Sequence, residues 1–362
     1  MSCISTLLVA ATLAGADPSV RLTLSPTADN PRNSEGAFIT LKDGTILFIY
    51  THFFGGDGDD AAAHLASRTS TDGGQTWTPQ DQRVPAVKGR QNTMSVSLLR
   101  LKSGKIGLFY LVKHSNNDCR TYMQVSDDEA RTWGEARLCM AQEGYYVVNN
   151  DRVVQLASGR LVIPAAWHKQ IAGVPFNFRA TAVCFISDDE GQSWRQAKGI
   201  VEPPRDSNSG LQEPGIVELK DGRLLMISRT DLGSQYRSYS PDGGETWSPA
   251  EASDIKSPLS PASIKRIPGG GDLLLVWNDH ARIDEALKGK RTPLCVAVSP
   301  DDGKTWSEAK VIEDDRRGSY CYTAIEFVGD HVLLAYCAEK ERGDGLNTLR
   351  ITSVPLSWLQ DR

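Results

Sequence analysis

One eight-residue phrase is written five times along this chain. It stands as Ser70-Thr71-Asp72-Gly73-Gly74-Gln75-Thr76-Trp77 and returns at 126–133, 187–194, 240–247 and 299–306. The shared pattern is Ser-x-Asp-x-Gly-x-Thr/Ser-Trp, with Ala130 once in place of the Gly, and its tryptophans lie 56, 61, 53 and 59 residues apart. A recurrence at that period confines the fold to similar units, stacked or set around an axis. Each phrase reads as a tight turn in which the Asp carboxylate accepts from backbone N–H groups just ahead of it. The Gly supplies positive φ, and the Trp folds back over its own unit as an apolar lid.

The stretches between the phrases repeat as well. Each unit opens with an apolar run, a turn and a second apolar run; the turns fall at 42–45, 102–105, 157–160, 220–223, 269–272 and 328–331. They read as hairpins. A longer loop, a third strand, the Asp-containing turn and a fourth strand follow. Six hairpins predict six four-stranded antiparallel units, so the fold class is all-β and the architecture a six-bladed β-propeller over residues 17–362. The sixth unit, Tyr320 to Trp358, lacks the phrase, and the N-terminal run Val20 to Ser25 is expected to supply its outer strand and close the ring. A β-sandwich is the competing architecture, but it would not need so regular a period.

Composition narrows the function. A net charge of −5 argues against nucleic acid as a partner. No apolar run reaches the ~18 residues of a membrane span. Residues 1–16 contain a short apolar run ending in Ala14-Gly15-Ala16, which fits a signal peptide and a secreted or periplasmic protein; without cleavage the chain would be cytoplasmic. Of seven cysteines, Cys3 lies in this leader. Cys184, Cys295 and Cys337 read as core residues, and Cys119 and Cys139 are spaced so that a disulfide could bridge them. Six histidines without close ligand spacing predict no metal, and no cofactor is expected. The chain is expected to be a monomer.

The repeated phrase is the Asp-box of the sialidase (neuraminidase) superfamily, which the chain resembles over all its units. The fourth unit, Gln212-Glu213-Pro214-Gly215 through Ser228-Arg229, is similar to the sialidase segment holding a buried Glu and one Arg of a carboxylate-binding triad. Ser319-Tyr320-Cys321-Tyr322-Thr323-Ala324-Ile325 resembles the segment that holds the nucleophile, and Lys290-Arg291-Thr292-Pro293 the position of another triad Arg. The resemblance implies Tyr322 as nucleophile, Glu213 as its base, an Asp of the rim loop as acid and base, with Asp59 the best fit and Asp57 and Asp60 the alternatives, and Arg32, Arg229 and Arg291 as the clamp on a substrate carboxylate. A Tyr suits a sugar whose anomeric carbon carries a carboxylate, because a carboxylate nucleophile would be repelled. Guanidinium groups suit the carboxylate because each is a planar, permanently charged fork. Tyr320 competes with Tyr322, since strand alternation puts both on one face.

The first unit departs from the family pattern. In place of Arg-Ile-Pro it has Asn30-Pro31-Arg32-Asn33-Ser34-Glu35-Gly36, so either Arg32 is the first triad member or Glu35 takes its place. Asn149-Asn150-Asp151-Arg152 puts a charged pair on the rim that the family pattern does not require. Glu35, Asp151, Arg152 and His168 are therefore expected among the substrate-binding residues. The leading expectation is a retaining exo-glycosidase releasing a terminal acidic sugar from a glycan. A uronic-acid-directed lyase or hydrolase, or a non-catalytic glycan-binding propeller, are the alternatives.

Overall fold

The computed structural model describes residues 17–171, 173–269, 271–339 and 346–360. The expected leader at 1–16, Cys3 and one glycine of the fifth hairpin, Gly270, lie outside the described residues.

The fold is all-β and propeller-like. Arg32–Thr40, Ile46–Phe53, Ala63–Ser70 and Gln82–Arg83 form one antiparallel sheet of four strands, and Gln212–Glu218 to Glu251–Lys256 and Ser263–Arg266 to Lys310–Glu313 form two more. Between them a nine-stranded sheet joins Asn92–Arg100 through Asp118–Ser126 to Leu161–His168 and Thr181–Ser187, with the short strand Tyr145–Val147 as the link. The last sheet is made by Ser319–Val328, His331–Glu339 and Leu349–Pro355, and Ser19–Leu24 from the N-terminus pairs antiparallel with Leu349–Pro355 as its fourth strand.

Hairpins connect the first two strands of each unit for a local reason. Gly44, Gly104, Gly159 and Gly222 stand at φ of 86°, 86°, 97° and 83°, where side-chain-bearing residues are strained. The turns close through bonds such as Leu41 N to Thr45 O at 2.8 Å and Leu219 N to Arg223 O at 2.8 Å.

The repeated phrase takes one conformation throughout. Asp72 Oδ1 accepts from Thr76 N at 2.9 Å and Oδ2 from Thr76 Oγ1 at 2.6 Å, and Asp128, Asp189, Asp242 and Asp301 make the same pair of bonds four residues ahead. Its Trp packs at the seam between its own unit and a neighbouring one, and the Trp77 ring lies 6.0 and 6.2 Å from Phe38 and Phe48 of its own unit. Trp77 packs into the cluster shared by the first and last sheets, with Phe38, Phe48, Leu333 and Ile351. Trp133, Trp194, Trp247 and Trp306 likewise pack into the clusters shared with the preceding unit. Burial of a large aromatic is most favourable where two apolar faces meet, which explains this placement. In the last unit, which has no such phrase, Trp358 occupies the corresponding cluster from the C-terminal helix Leu356–Gln360. The clusters thus run from unit to unit and back to the first.

The first strands of the units meet around the axis, where they are tied by side chains. Asn150 Nδ2 donates to Gly36 O at 2.8 Å and to Tyr322 O at 2.9 Å. Ser263 Oγ donates to Thr323 O at 2.6 Å, and Asp151 Oδ2 accepts from Ile325 N at 2.9 Å. These bonds fix the backbone under the site. The cysteines at 119, 139, 184, 295, 321 and 337 are all free and buried, so Cys119 and Cys139 are not bridged.

Candidate active site

The site is built on a repeated irregularity of the innermost strands. Glu35, Ser95, Glu213 and Tyr322 stand at φ of 53°, 55°, 49° and 59°, and each lies where the pairing with the next strand slips. Each precedes its hairpin residue (Leu41, Leu101, Leu219, Val328) by the same six positions. All four side chains line one cavity of about 170 Å³. A left-handed residue with a side chain costs about 1–3 kcal/mol, and here the bulge turns four side chains toward one point. In the fifth unit the equivalent position is Pro261, whose ring fixes φ near −65° and forbids this conformation. The third unit reaches positive φ one residue later, at Asp151, φ 55°.

The bulge also separates the two tyrosines. Tyr320 is wholly buried against Tyr336, with ring centroids 6.4 Å apart, and is absent from the cavity wall. Alternation fails to keep Tyr320 and Tyr322 on one face because register slips between Cys321 and Ala324. Tyr322 Oη donates to Glu213 Oε1 at 3.2 Å. The other Glu213 oxygen lies 2.8 Å from Arg229 Nη1, as an ion pair without a straight hydrogen bond. Arg229 is held in turn by Gln212 Oε1, at 2.5 Å from Nη2 and 3.2 Å from Nε. The Arg291 guanidinium stands 5.5 Å from the centre of the Tyr322 ring and donates to Cys321 Sγ at 3.2 Å. Burial pushes the Tyr322 hydroxyl well above its ordinary range and the Glu213 carboxylate pushes it further, while Arg291 and Arg229 pull it back. At neutral pH it is a phenol hydrogen-bonded to a carboxyl group.

Arg32 is buried beside Glu35 and Asp59 of the cavity wall, with Phe53 4.4 Å beneath its guanidinium. Its Nη1 donates to Asp59 Oδ1 at 2.6 Å, and its Nη2 lies 3.7 Å from Glu35 Oε1. Burial works against the Asp59 anion, but Arg32, Lys113 and Arg291 outweigh it and hold the carboxyl below its usual range. The Asp59 side chain is nonetheless 70% exposed, so solvent screens these charges. Glu35 behaves in the opposite way. Burial pushes its carboxyl up to about 7, against the pull of Arg32 and of the Ser95 hydroxyl, which donates to Oε2 at 2.5 Å. Arg32 and Glu35 are thus both present, side by side.

His168, Tyr145, Phe176 and Phe178 close a third side. His168 is buried, its Nδ1 2.9 Å from Asn177 O, and burial holds its pKa below the usual value. Phe176 packs edge-on to Tyr145 and Phe178, each with ring centroids 5.0 Å apart. Asp151 and Arg152 stand elsewhere. They line a separate cavity of about 590 Å³ with Gly215, Lys265 and Arg266. Asp151 pairs with Lys265 at 3.3 Å, and Arg152 Nη1 donates to Ser263 Oγ at 3.4 Å, with Glu213 and Tyr322 near enough to act on its charge. The one-residue offset of the third unit accounts for this lower placement.

Sequence reasoning did not single out Ser95, Gln212, Tyr145 or Phe176. For Ser95 and Gln212 the signal was present, because both fall at fixed offsets from a hairpin already recognised. For Phe176 there was none, since it lies in a long loop outside the repeat. Among the described residues no group of three His, Cys, Asp or Glu side chains could hold a metal ion, and no helix is long and apolar enough to cross a membrane.

Comparison with known proteins adds family and fold. Residues 49–333 match the family described as BNR repeat-like domain. A sialidase from Micromonospora viridifaciens is 25% identical over 413 aligned positions, covering 97% of this chain and 58% of that protein. The chain spans 58% and 55% of the lengths of the first two curated relatives it matches, so it corresponds to little more than half of each. In structure, a protein of unknown function from Dyadobacter fermentans is similar with a TM-score of 0.72 at 17% identity, over 93% of this chain and 99% of that one. Trypanosoma rangeli sialidase is similar with a TM-score of 0.72 at 16% identity, over 96% of this chain and 60% of that one. At such identities the structural likeness is one of fold.

Proposed function

The chain belongs to the BNR repeat-like domain family, within the sialidase superfamily, and on that premise we propose that it is a retaining exo-glycosidase of the sialidase type. It acts on a glycan with a terminal acidic sugar and works on a six-bladed propeller closed by its N-terminal strand. The observation that carries the proposal is the Tyr322 hydroxyl on Glu213 at 3.2 Å, flanked by Arg229 and Arg291. A phenol titrates near ~10 in water and attacks at neutral pH only if a base takes its proton and cations receive the charge. Glu213 is the base and the two arginines are the cations. The substrate carboxylate lies against Arg229 and Arg291, with Arg32 as the third donor once Asp59 leaves it.

Tyr322 Oη then bonds to the anomeric carbon as the glycosidic bond breaks, and Asp59 delivers a proton to the departing oxygen. Water, deprotonated by Asp59, displaces Tyr322 from the same face that the leaving group left. The two inversions give net retention. Because Asp59 begins as an anion paired with Arg32, it takes up its proton as the substrate carboxylate replaces it on that guanidinium.

The test is to trap the protein with a 3-fluoro acidic-sugar fluoride and map the labelled peptide. Label on Tyr322 is expected. An unsaturated product absorbing in the ultraviolet, with no label and turnover intact, would decide for the uronic-acid lyase. That second reading draws on Glu35, whose carboxyl near pKa 7 is a further proton carrier that a retaining glycosidase does not need.

A further inference from the structure

Two sulfurs sit directly beneath the arginines. Cys321 and Cys337 face each other across the antiparallel pair Ser319–Val328 and His331–Glu339, and both are free and buried. Arg291 Nη1 donates to Cys321 Sγ at 3.2 Å, the one hydrogen bond that its guanidinium makes among the described residues. On the other side, Cys337 Sγ lies 3.4 Å from Ser34 Oγ, which accepts from Arg32 Nη2 at 3.3 Å. The pair therefore bridges two of the three arginines, and Cys321 adjoins Tyr322 in the chain.

We propose that Cys321 positions Arg291 and that Cys321 and Cys337 form an oxidisable dithiol whose closure to a disulfide releases that arginine. The reading rests in part on the proposed function, since it assigns Arg291 to the substrate carboxylate. Directly opposed residues on antiparallel strands have Cα atoms roughly 4.5–5.5 Å apart, within the roughly 4.4–6.8 Å that a disulfide spans. The other cysteines serve as internal contrast. Burial drives Cys119 and Cys295 up to about 12 and Cys139 well above the ordinary value. At Cys321 burial acts the same way, yet the Cys337 thiol and the Arg291 guanidinium overcome it and lower the pKa; Cys337 is correspondingly raised by Cys321 and by burial. The thiolate is the reactive form of cysteine, and Cys321 is the sulfur with a guanidinium donating to it at 3.2 Å, so Cys321 attacks and Cys337 resolves.

With a hydroperoxide as oxidant the chemistry balances. The Cys321 thiol gives up its proton, its sulfur attacks one oxygen of hydrogen peroxide, the O–O bond breaks, and a sulfenic acid forms as the departing hydroxide takes that proton as water. The Cys337 thiol then attacks that sulfur; the S–S bond forms, the S–O bond breaks, and the departing hydroxide takes the Cys337 proton as water. The two sulfurs together give up two electrons to the peroxide. Burial of both sulfurs restricts the reaction to small oxidants. Once the disulfide is formed, Arg291 has lost its thiol acceptor and its fixed orientation over Tyr322.

The experiment treats the full chain with hydrogen peroxide, alkylates remaining thiols under denaturing conditions and maps the peptides. In parallel, calorimetry measures binding of a 2,3-unsaturated acidic sugar before and after oxidation. The expected result is a Cys321–Cys337 cross-link, undone by dithiothreitol, with affinity three- to tenfold weaker in the oxidised protein and restored on reduction. Cys337→Ser should bind as the reduced wild type does and form no cross-link. Cys321→Ser, which keeps an acceptor for Arg291, should bind more tightly than Cys321→Ala. Both thiols remaining alkylatable after peroxide would overturn the dithiol, and a cross-link with unchanged affinity would overturn the positioning role. If the cross-link forms but neither redox state binds an acidic sugar, the dithiol stands and the proposed function falls.

Discussion

Glu35 is buried beside an arginine, yet its carboxyl is pushed up to about 7 because desolvation exceeds what Arg32 and Ser95 return. An acid whose folded pKa is raised stabilises the fold fully below its unfolded value, near 4.5, and that contribution is lost as pH rises through about 7. Glu35→Gln should therefore unfold at the same temperature as wild type at pH 4 and be more stable at pH 8, by at most ~3 kcal/mol. A difference that stays constant between those pH values would mean that the carboxyl titrates normally. Asp59 calls for a kinetic prediction. Asp59→Asn should slow substrates with poor leaving groups by roughly 10²–10⁴-fold while sparing activated aryl glycosides, which need no proton. Equal losses on both would reduce Asp59 to a clamp on Arg32. At this scale the sequence singled out Glu213 and Tyr322 through two separate segments, whereas the roles of Arg32 and Glu35 stayed open. Their relation depends on a bulge between Ser34 and Ala37, and no residue type marks that bulge.

The repeated phrase does more than turn the chain, and one of its positions links neighbouring units. In three copies its fourth residue is an acid at positive φ: Glu129 at 60°, Glu190 at 54° and Asp302 at 62°. Each accepts from a backbone N–H in the preceding unit's hairpin, Lys42 N at 3.0 Å, Ser103 N at 2.8 Å and Lys220 N at 2.9 Å. Where the fourth residue is Gly73 or Gly243, its carbonyl accepts instead, from His331 Nε2 at 2.8 Å and Arg160 Nη1 at 3.2 Å. Asp302 is the most instructive, because it also takes Arg266 Nη2 at 2.8 Å and its side chain is only 14% exposed. Asp302→Ala should cost roughly 1–3 kcal/mol, for a charge-assisted bond and a second acceptor lost together, read as a lower denaturant midpoint at unchanged slope. Glu190→Ala removes one exposed bond and should cost under ~1 kcal/mol. Equal losses would separate this linkage from the burial of the acid. The turn itself was legible because its chemistry is local. The link was not, because its partner lies 82 or more residues away in sequence.

At the scale of the molecule, legibility followed periodicity. The hairpins and the recurring turn were enough to predict repeated antiparallel sheets and to assign Val20–Ser25 to the last sheet, since an unpaired edge needs a partner. The merging of two units through Tyr145–Val147 was not predicted, because three residues between loops carry no pattern. The edge assignment leads to a last prediction. Ser19–Leu24 pairs with Leu349–Pro355 through Leu22↔Ile351, Thr23↔Arg350 and Leu24↔Leu349, and Leu22 and Leu24 pack on the cluster shared by the first and last sheets. Leu22→Pro fixes φ near −65° in an extended strand and takes an apolar side chain out of that seam. The pairing with Leu349–Pro355 should fail as a unit, at a cost of roughly 2–4 kcal/mol in lost bonds and burial. Hydrogen exchange reads this directly: the amides of residues 349–354 that point toward the lost strand should exchange faster, while those facing His331–Glu339 keep their protection. An edge so exposed also recruits other chains, so light scattering during refolding should rise with protein concentration. Unchanged protection along 349–354 would mean that the N-terminal strand only covers a seam that is already closed.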